Sequence, residues 1–266
     1  ILFLARILGY PLNESARQFL KERNPELLRD LYHNQPALQA GGYVVIPVVG
    51  SRSPIAWTLL EGLVNNLSAL PGSTEELTNY IAHLAALYER TKQGEVIPAT
   101  VFEEVLRQGS EVVISSFNAA LGLLIIYDEL GKSLEYAALY PERTDIGLLQ
   151  VVAELAARSG DTPIGLITVL HQAFEHYAAG LSPVQQREWV KVQGRFEDIG
   201  FLEPSGELLG IIDRAIRRTD EVDPRLLEVI GDEVENGVAL ELLPRDLAPE
   251  KARSVLAGCA PLHPAV

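Results

Sequence analysis

Four short stretches of this 266-residue chain are rich in aliphatic and β-branched residues, and helical patterns separate them. They are Tyr43–Val49 (YVVIPVV), Gly122–Tyr127 (GLLIIY), Ile164–Leu170 (IGLITVL) and Phe196–Phe201 (FEDIGF). Short apolar runs of this kind, set between helical patterns, predict strands. The second and third are continuously apolar, as central parallel strands covered by helices on both faces are. The fourth is more polar and predicts a place nearer an edge. Apolar residues three and four apart predict helices between them: Ser53 through Asn66, with Pro54 suited to the first turn, then Ser73–Lys92, Ala99–Gln108 and Asp145–Ser159. Strands alternating with helices predict an α/β domain with a mainly parallel sheet. From Pro204 the strand pattern stops, and Glu207–Arg218, Arg225–Asn236 and Ala248–Ala257 predict helices. The expected organisation is an α/β core over 1–204 followed by a helical region over 205–266.

The opening ILFLARILGY is apolar but lacks the basic flank and cleavage site of a secretory signal. Its Ile1, Leu4 and Leu8, with Leu2 and Ile7 alongside, predict a core helix. Hydrophobic residues make up 47% of the chain and charged ones 22%, the balance of a chain that buries a core. No apolar run approaches the ~20 residues a spanning helix needs, so no membrane association is expected. Cys259 is the single cysteine, which excludes an intramolecular disulfide and points to a reducing, cytoplasmic setting. It reads as a small buried hydrophobe, since no catalytic histidine arrangement is recognisable around it.

The formal charge of −14 argues against binding nucleic acid through this chain, because phosphate neutralisation needs clustered cations. The densest basic stretch, Arg214, Arg217 and Arg218, runs straight into Asp220, Glu221 and Asp223 and reads as a solvated helix end. Nucleic acid would be reached only through neighbouring regions. Methionine is absent and the first residue already lies inside a helical pattern. Both ends therefore read as cut.

The sharpest chemical feature is LGLLIIYDELGK, an apolar strand that ends at Asp128-Glu129. A buried strand ending in adjacent acids puts them at the carboxyl edge of the sheet, where open α/β sheets bind ligands. The plainer alternative is a strand end that simply meets solvent. The run resembles the Walker B motif of P-loop ATPases. That resemblance implies that Asp128 holds Mg²⁺ through water and that Glu129 polarises the attacking water. It also implies ATP as the ligand. The next strand ends at His171-Gln172, where the resembling ATPases carry a sensor for the γ-phosphate. Otherwise these two residues cap the following segment. His171 and His176 have the wrong spacing for a two-histidine zinc helix.

The segment WVKVQGRFEDIGFLEPSGELLGIIDRAI resembles the end of the ATPase core and the start of its helical lid, as in the origin-recognition and STAND branch of AAA+ proteins. By that resemblance Arg195 contacts nucleotide in its own subunit or the next. Alternatively it pairs with Glu197 or Asp198 on the surface. The likeness spans roughly residues 1 to 218, a three-layer P-loop core and the start of its lid, with protein partners or self-assembly as the implied context. It departs from the pattern at one place: no G-x-x-x-x-G-K-[ST] loop occurs. GSRSP at 50–54 has no lysine, and Gly131-Lys132-Ser133 follows the acidic strand instead of preceding a first helix. The expectation is a fragment that begins just after that loop and lacks the first strand. A catalytically inactive α/β interaction scaffold is the competing reading. A third reading, an unrelated α/β hydrolase using acids near Asp128, finds no G-x-S-x-G nucleophile turn in the chain.

Overall fold

The continuous apolar run that ends in Asp128 becomes the middle of a parallel sheet. In this computed structural model, which describes residues 2–72, 74–200, 205–216, 223–243 and 247–259, the strands are β1 (Gly42–Val49), β2 (Ala120–Asp128) and β3 (Ile164–Thr168). Their order is β1-β2-β3, and both pairings are parallel. Ile125 lies between Ile46 and Leu166 in the ladders, and Val49 pairs with Asp128 at the carboxyl end. Ile126 and Tyr127 are buried because β2 has neighbours on both sides. In β3 only Ile164 is buried and the rest is half-buried, as in an edge strand. Gly122 marks the irregular start of β2: its φ is +143°, and an added Cβ would meet the Pro163 carbonyl at 2.0 Å.

Helices precede and connect the strands. The opening segment forms α1 (Leu2–Leu8), but only Ile7 is buried while Leu2, Phe3 and Leu4 are exposed. The predicted helix thus forms but not as a core helix, since most of its large apolar residues face solvent, and a Gly9–Tyr43 bridge joins the segment to the sheet. Two ten-residue helices follow, α2 (Glu14–Arg23) and α3 (Pro25–Asn34), started by Asn13 and Asn24, whose side chains accept from the first-turn amides. A 3-10 turn at Pro36–Gln39 leads into β1.

Then come α4 (Ile55–Ser68), α5 (Glu75–Lys92) and α6 (Ala99–Ser116) before β2, with α7 (Leu130–Leu139) and α8 (Gly147–Arg158) before β3. After β3 lie the one-turn α9 (Phe174–Tyr177) and α10 (Pro183–Gln193), the latter opened by a Ser182/Gln185 capping box. The main core joins Val44, Ile46 and Val48 of β1 and Leu123, Ile125 and Tyr127 of β2 to α4, α5, α6 and α8. On the other sheet face Leu124 and Ile126 are buried outside that cluster, while Pro47 and Val49 are exposed.

The predicted fourth strand is not formed. Residues 196–200 carry no strand, and position 201 lies outside the described residues. Arg195 and Phe196 donate their amides to Val192 and Gln193, which closes α10 in a turn. Phe196 packs against the main core while Ile199 is 78% exposed, so the two apolar residues do not share a buried face.

The chain divides into two compact units, Ile1–Glu197 and Asp198–Val266. The second contains α11 (Ser205–Ala215), α12 (Pro224–Ala239) and α13 (Pro249–Cys259) around Ile230, Val234, Leu247 and Ala252. Cys259 is buried there and its Sγ donates to the Leu209 carbonyl, in keeping with a packing role. Ile1, Ser73, Pro204, Arg217, Arg218, Asp220, Glu221 and the terminal segment 260–266 lie outside the described residues. Among those described, no helix is long and apolar enough to cross a membrane.

Candidate functional site at the carboxyl edge of the sheet

The end of β2 is clamped from both sides. Gly50, just past β1, donates its amide to the Asp128 carbonyl at 2.8 Å. An added Cβ at Gly50 would sit 2.0 Å from the Glu129 carbonyl oxygen, so only glycine allows the GSRSP loop to lie against the two acids. From the β3 side, Val169 donates to the Tyr127 carbonyl at 2.9 Å and accepts from the Leu130 amide at 3.2 Å. These bonds carry β3 past Thr168 and bring His171 towards Glu129.

Asp128 and Glu129 are both half-buried. The Asp128 Oδ1 accepts from the Glu129 amide at 2.9 Å. Glu129 has left-handed backbone angles, φ 52° and ψ 35°, and stands at the head of α7. For a non-glycine residue that conformation costs roughly 1–3 kcal/mol, and such strain gathers where a side chain must be aimed. Its Oε2 lies 2.5 Å from the Lys132 Nζ, and its Oε1 lies 3.9 Å from the His171 Nε2. The Lys132 ammonium, and more weakly His171, hold the Glu129 carboxyl below the usual carboxylate range. Glu129 is therefore ionised throughout the neutral range.

Beneath the acids runs a line of hydroxyls. The buried Tyr127 hydroxyl lies 2.7 Å from the Ser133 Oγ, which donates to the Ser51 carbonyl at 3.0 Å. Ser53 Oγ lies 2.7 Å from Ser51 Oγ and 2.9 Å from Thr58 Oγ1. Burial raises the Tyr127 hydroxyl above its ordinary pKa, so it stays protonated. The network ties β2, α7, the 50–54 loop and α4 together. At the exposed rim Arg52 pairs with Glu135 of α7 at 3.2 Å.

Of the residues expected to act together, Asp128, Glu129 and His171 meet at this edge. Gln172 follows His171 and is exposed. Arg195 is engaged elsewhere: its Nε lies 2.9 Å from the Glu154 Oε1 of α8, and neither Glu197 nor Asp198 is its recorded partner. Lys132, Gly50, Ser51 and Ser133 also contribute here, though in the sequence they stand out only as failed matches to a phosphate loop. Gly131-Lys132-Ser133 is not a phosphate loop, since all three lie in α7 and Gly131 packs under Tyr177.

Among the described residues no three of His, Cys, Asp and Glu gather as a metal cage. The donors that do meet here suit Mg²⁺ shared with a ligand. That ion keeps most of its waters and binds through one or two carboxylates together with phosphate oxygens. No protein-family model, curated protein or solved structure matches the chain.

Proposed function

We propose that the chain is the ATP-binding and ATP-hydrolysing part of a larger bacterial AAA+/STAND-like ATPase, coupling hydrolysis to conformational change. One observation carries the reading: an adjacent Asp-Glu pair ends the middle strand of a parallel α/β sheet, with His171 of the next strand's end facing the second acid. Ligands bind at that edge of such sheets. Asp128, held by the Glu129 amide, is the group that would hold Mg²⁺ through water, and the ion would neutralise phosphate charge when bound. Glu129 is the group that would orient water. To do so it must exchange Lys132 for the water, and Lys132 is then free to face phosphate oxygens. The helices of 205–266 would serve as the lid.

A second reading, an interaction scaffold without turnover, draws on specific contacts. Glu129 is already satisfied by Lys132, and Arg195 by Glu154. Steady-state ATP hydrolysis and Mg–ATP affinity, measured side by side on the full-length protein, separate the two. Glu129→Gln is expected to keep affinity and lose turnover by about a hundredfold or more, because an amide cannot polarise water as a carboxylate does. Asp128→Asn should weaken the magnesium-dependent part of binding as well. Hydrolysis at the parent rate in Glu129→Gln removes Glu129 from the chemistry. A parent protein that neither binds nor hydrolyses ATP leaves the scaffold.

A further inference from the structure

On the N-terminal side of β1, α2 and α3 border an open cleft of about 800 Å³, within the size range of small-molecule sites. In a chain of formal charge −14 its lining is basic. Arg17 and Lys21 stand one turn apart on α2, and Arg29 and His33 one turn apart on α3, with Glu14 the one carboxylate among the lining residues.

Arg17 gives the cleft its character. Only 6% of it is exposed, and its guanidinium donates to the carbonyls of Ile7 at 3.4 Å, Gln39 at 3.4 Å and Gly41 at 3.0 Å. Those bonds pin α1, the 3-10 turn and the start of β1 to α2, but carbonyls supply no counter-charge. Among the described residues Arg17 has these carbonyls and the Tyr32 ring as partners and no carboxylate, and a buried cation without a counter-charge is costly. An anion in the cleft would offset it. The Arg29–Asp30 contact, 3.9 Å long between exposed side chains, is too weak to compete.

We propose that this cleft binds an organic phosphate of about nucleotide size. The cations stand on two helices, so the anion must offer acceptor oxygens in several directions. A tetrahedral phosphate does so and a planar carboxylate does not. Leu28, Pro36 and the Tyr32 ring, which lies 5.9 Å from the Arg17 guanidinium carbon, supply the surface for the organic body. The site is separate from the carboxyl edge of the sheet and does not depend on ATP turnover there.

The test is an amide NMR titration of the protein with AMP, and with adenosine as the uncharged control. AMP is expected to shift amides within residues 14–39 and adenosine to bind at least tenfold more weakly. Lys21→Gln/Arg29→Gln changes only exposed side chains, so the fold, checked in the same spectra, is retained. That variant should weaken AMP roughly tenfold or more, the scale of a lost charge-assisted bond. Arg158→Gln, a surface cation on α8, should leave the affinity unchanged. The proposal is overturned by shifts confined to residues 50–54 and 128–132, by no shifts at millimolar AMP, or by equal affinity in the Lys21/Arg29 variant.

Discussion

Glu129 shows how one side chain's setting decides what it can do. Its left-handed backbone turns the carboxylate back over the first turn of α7, where Lys132 meets it. Because the folded chain depresses this carboxyl, the stability it contributes is present above the ordinary carboxylate pKa and is lost as pH falls through the lower folded value. Lys132→Gln should therefore raise the Glu129 pKa towards its ordinary value, and His171→Ala should raise it less. A carboxyl-detected NMR titration measures both. An unmoved Glu129 in Lys132→Gln would show that the pair does not form in solution. Asp128, Glu129 and His171 could be found in the sequence, since acids and polar groups following apolar runs must emerge at a sheet edge. Lys132 could not, because its pairing depends on where α7 begins and on the kink at Glu129. The Arg195–Glu154 pair was equally hidden, as it joins α8 to the end of α10 across forty residues of chain.

Elements with a strong apolar signature were legible and those with a weak one were not. Three strands, α4, α5, α8 and the first half of α6 follow from runs and spacings that a buried sheet imposes, while α6 runs on to Ser116, past its expected end at Gln108. By contrast α2 and α3 bury little beyond Ala16, Leu20 and Leu28, so their pattern is faint, and their caps at Asn13 and Asn24 are the signal that could have revealed them. FEDIGF has strand-like ends with two acids inside, and the turn closing α10 takes its first amide instead. The Tyr127–Ser133 link is a tie between elements that composition does not announce. Ser133→Ala removes two bonds, those to Tyr127 and to the Ser51 carbonyl, and should cost about 1–3 kcal/mol. Tyr127→Phe leaves Ser133 bonded to Ser51 and should cost less. Urea unfolding of the two variants gives the order, and a larger loss in Tyr127→Phe would mean that the network does not hold α7 to the loop.

At the scale of the molecule, the main sheet core and the core of the Asp198–Val266 unit differ greatly in size and predict two levels of stability within one chain. The sheet unit buries long apolar side chains from three strands and several helices, among them Ile125, Leu60, Leu84 and Phe102, each with no measurable exposure. The Asp198–Val266 unit relies on Ile230, Val234, Leu247 and Ala252, with a few half-buried partners. A core that small supplies only about 3–5 kcal/mol, and proteins open locally according to what each region buries. Native-state hydrogen exchange on the intact chain, followed at increasing sub-denaturing urea, resolves the two. Amides of Ile125 and Tyr127 should exchange only through the costliest opening, with a steep urea dependence that reports global exposure. Those of Ile230 and Val234 in α12 should exchange through a cheaper opening with a shallower dependence, because only the smaller unit comes apart. The gap should be a few kcal/mol. If all four amides merge onto one opening free energy and one urea slope from the start, the chain unfolds as a single cooperative body and the smaller core is not an independent one.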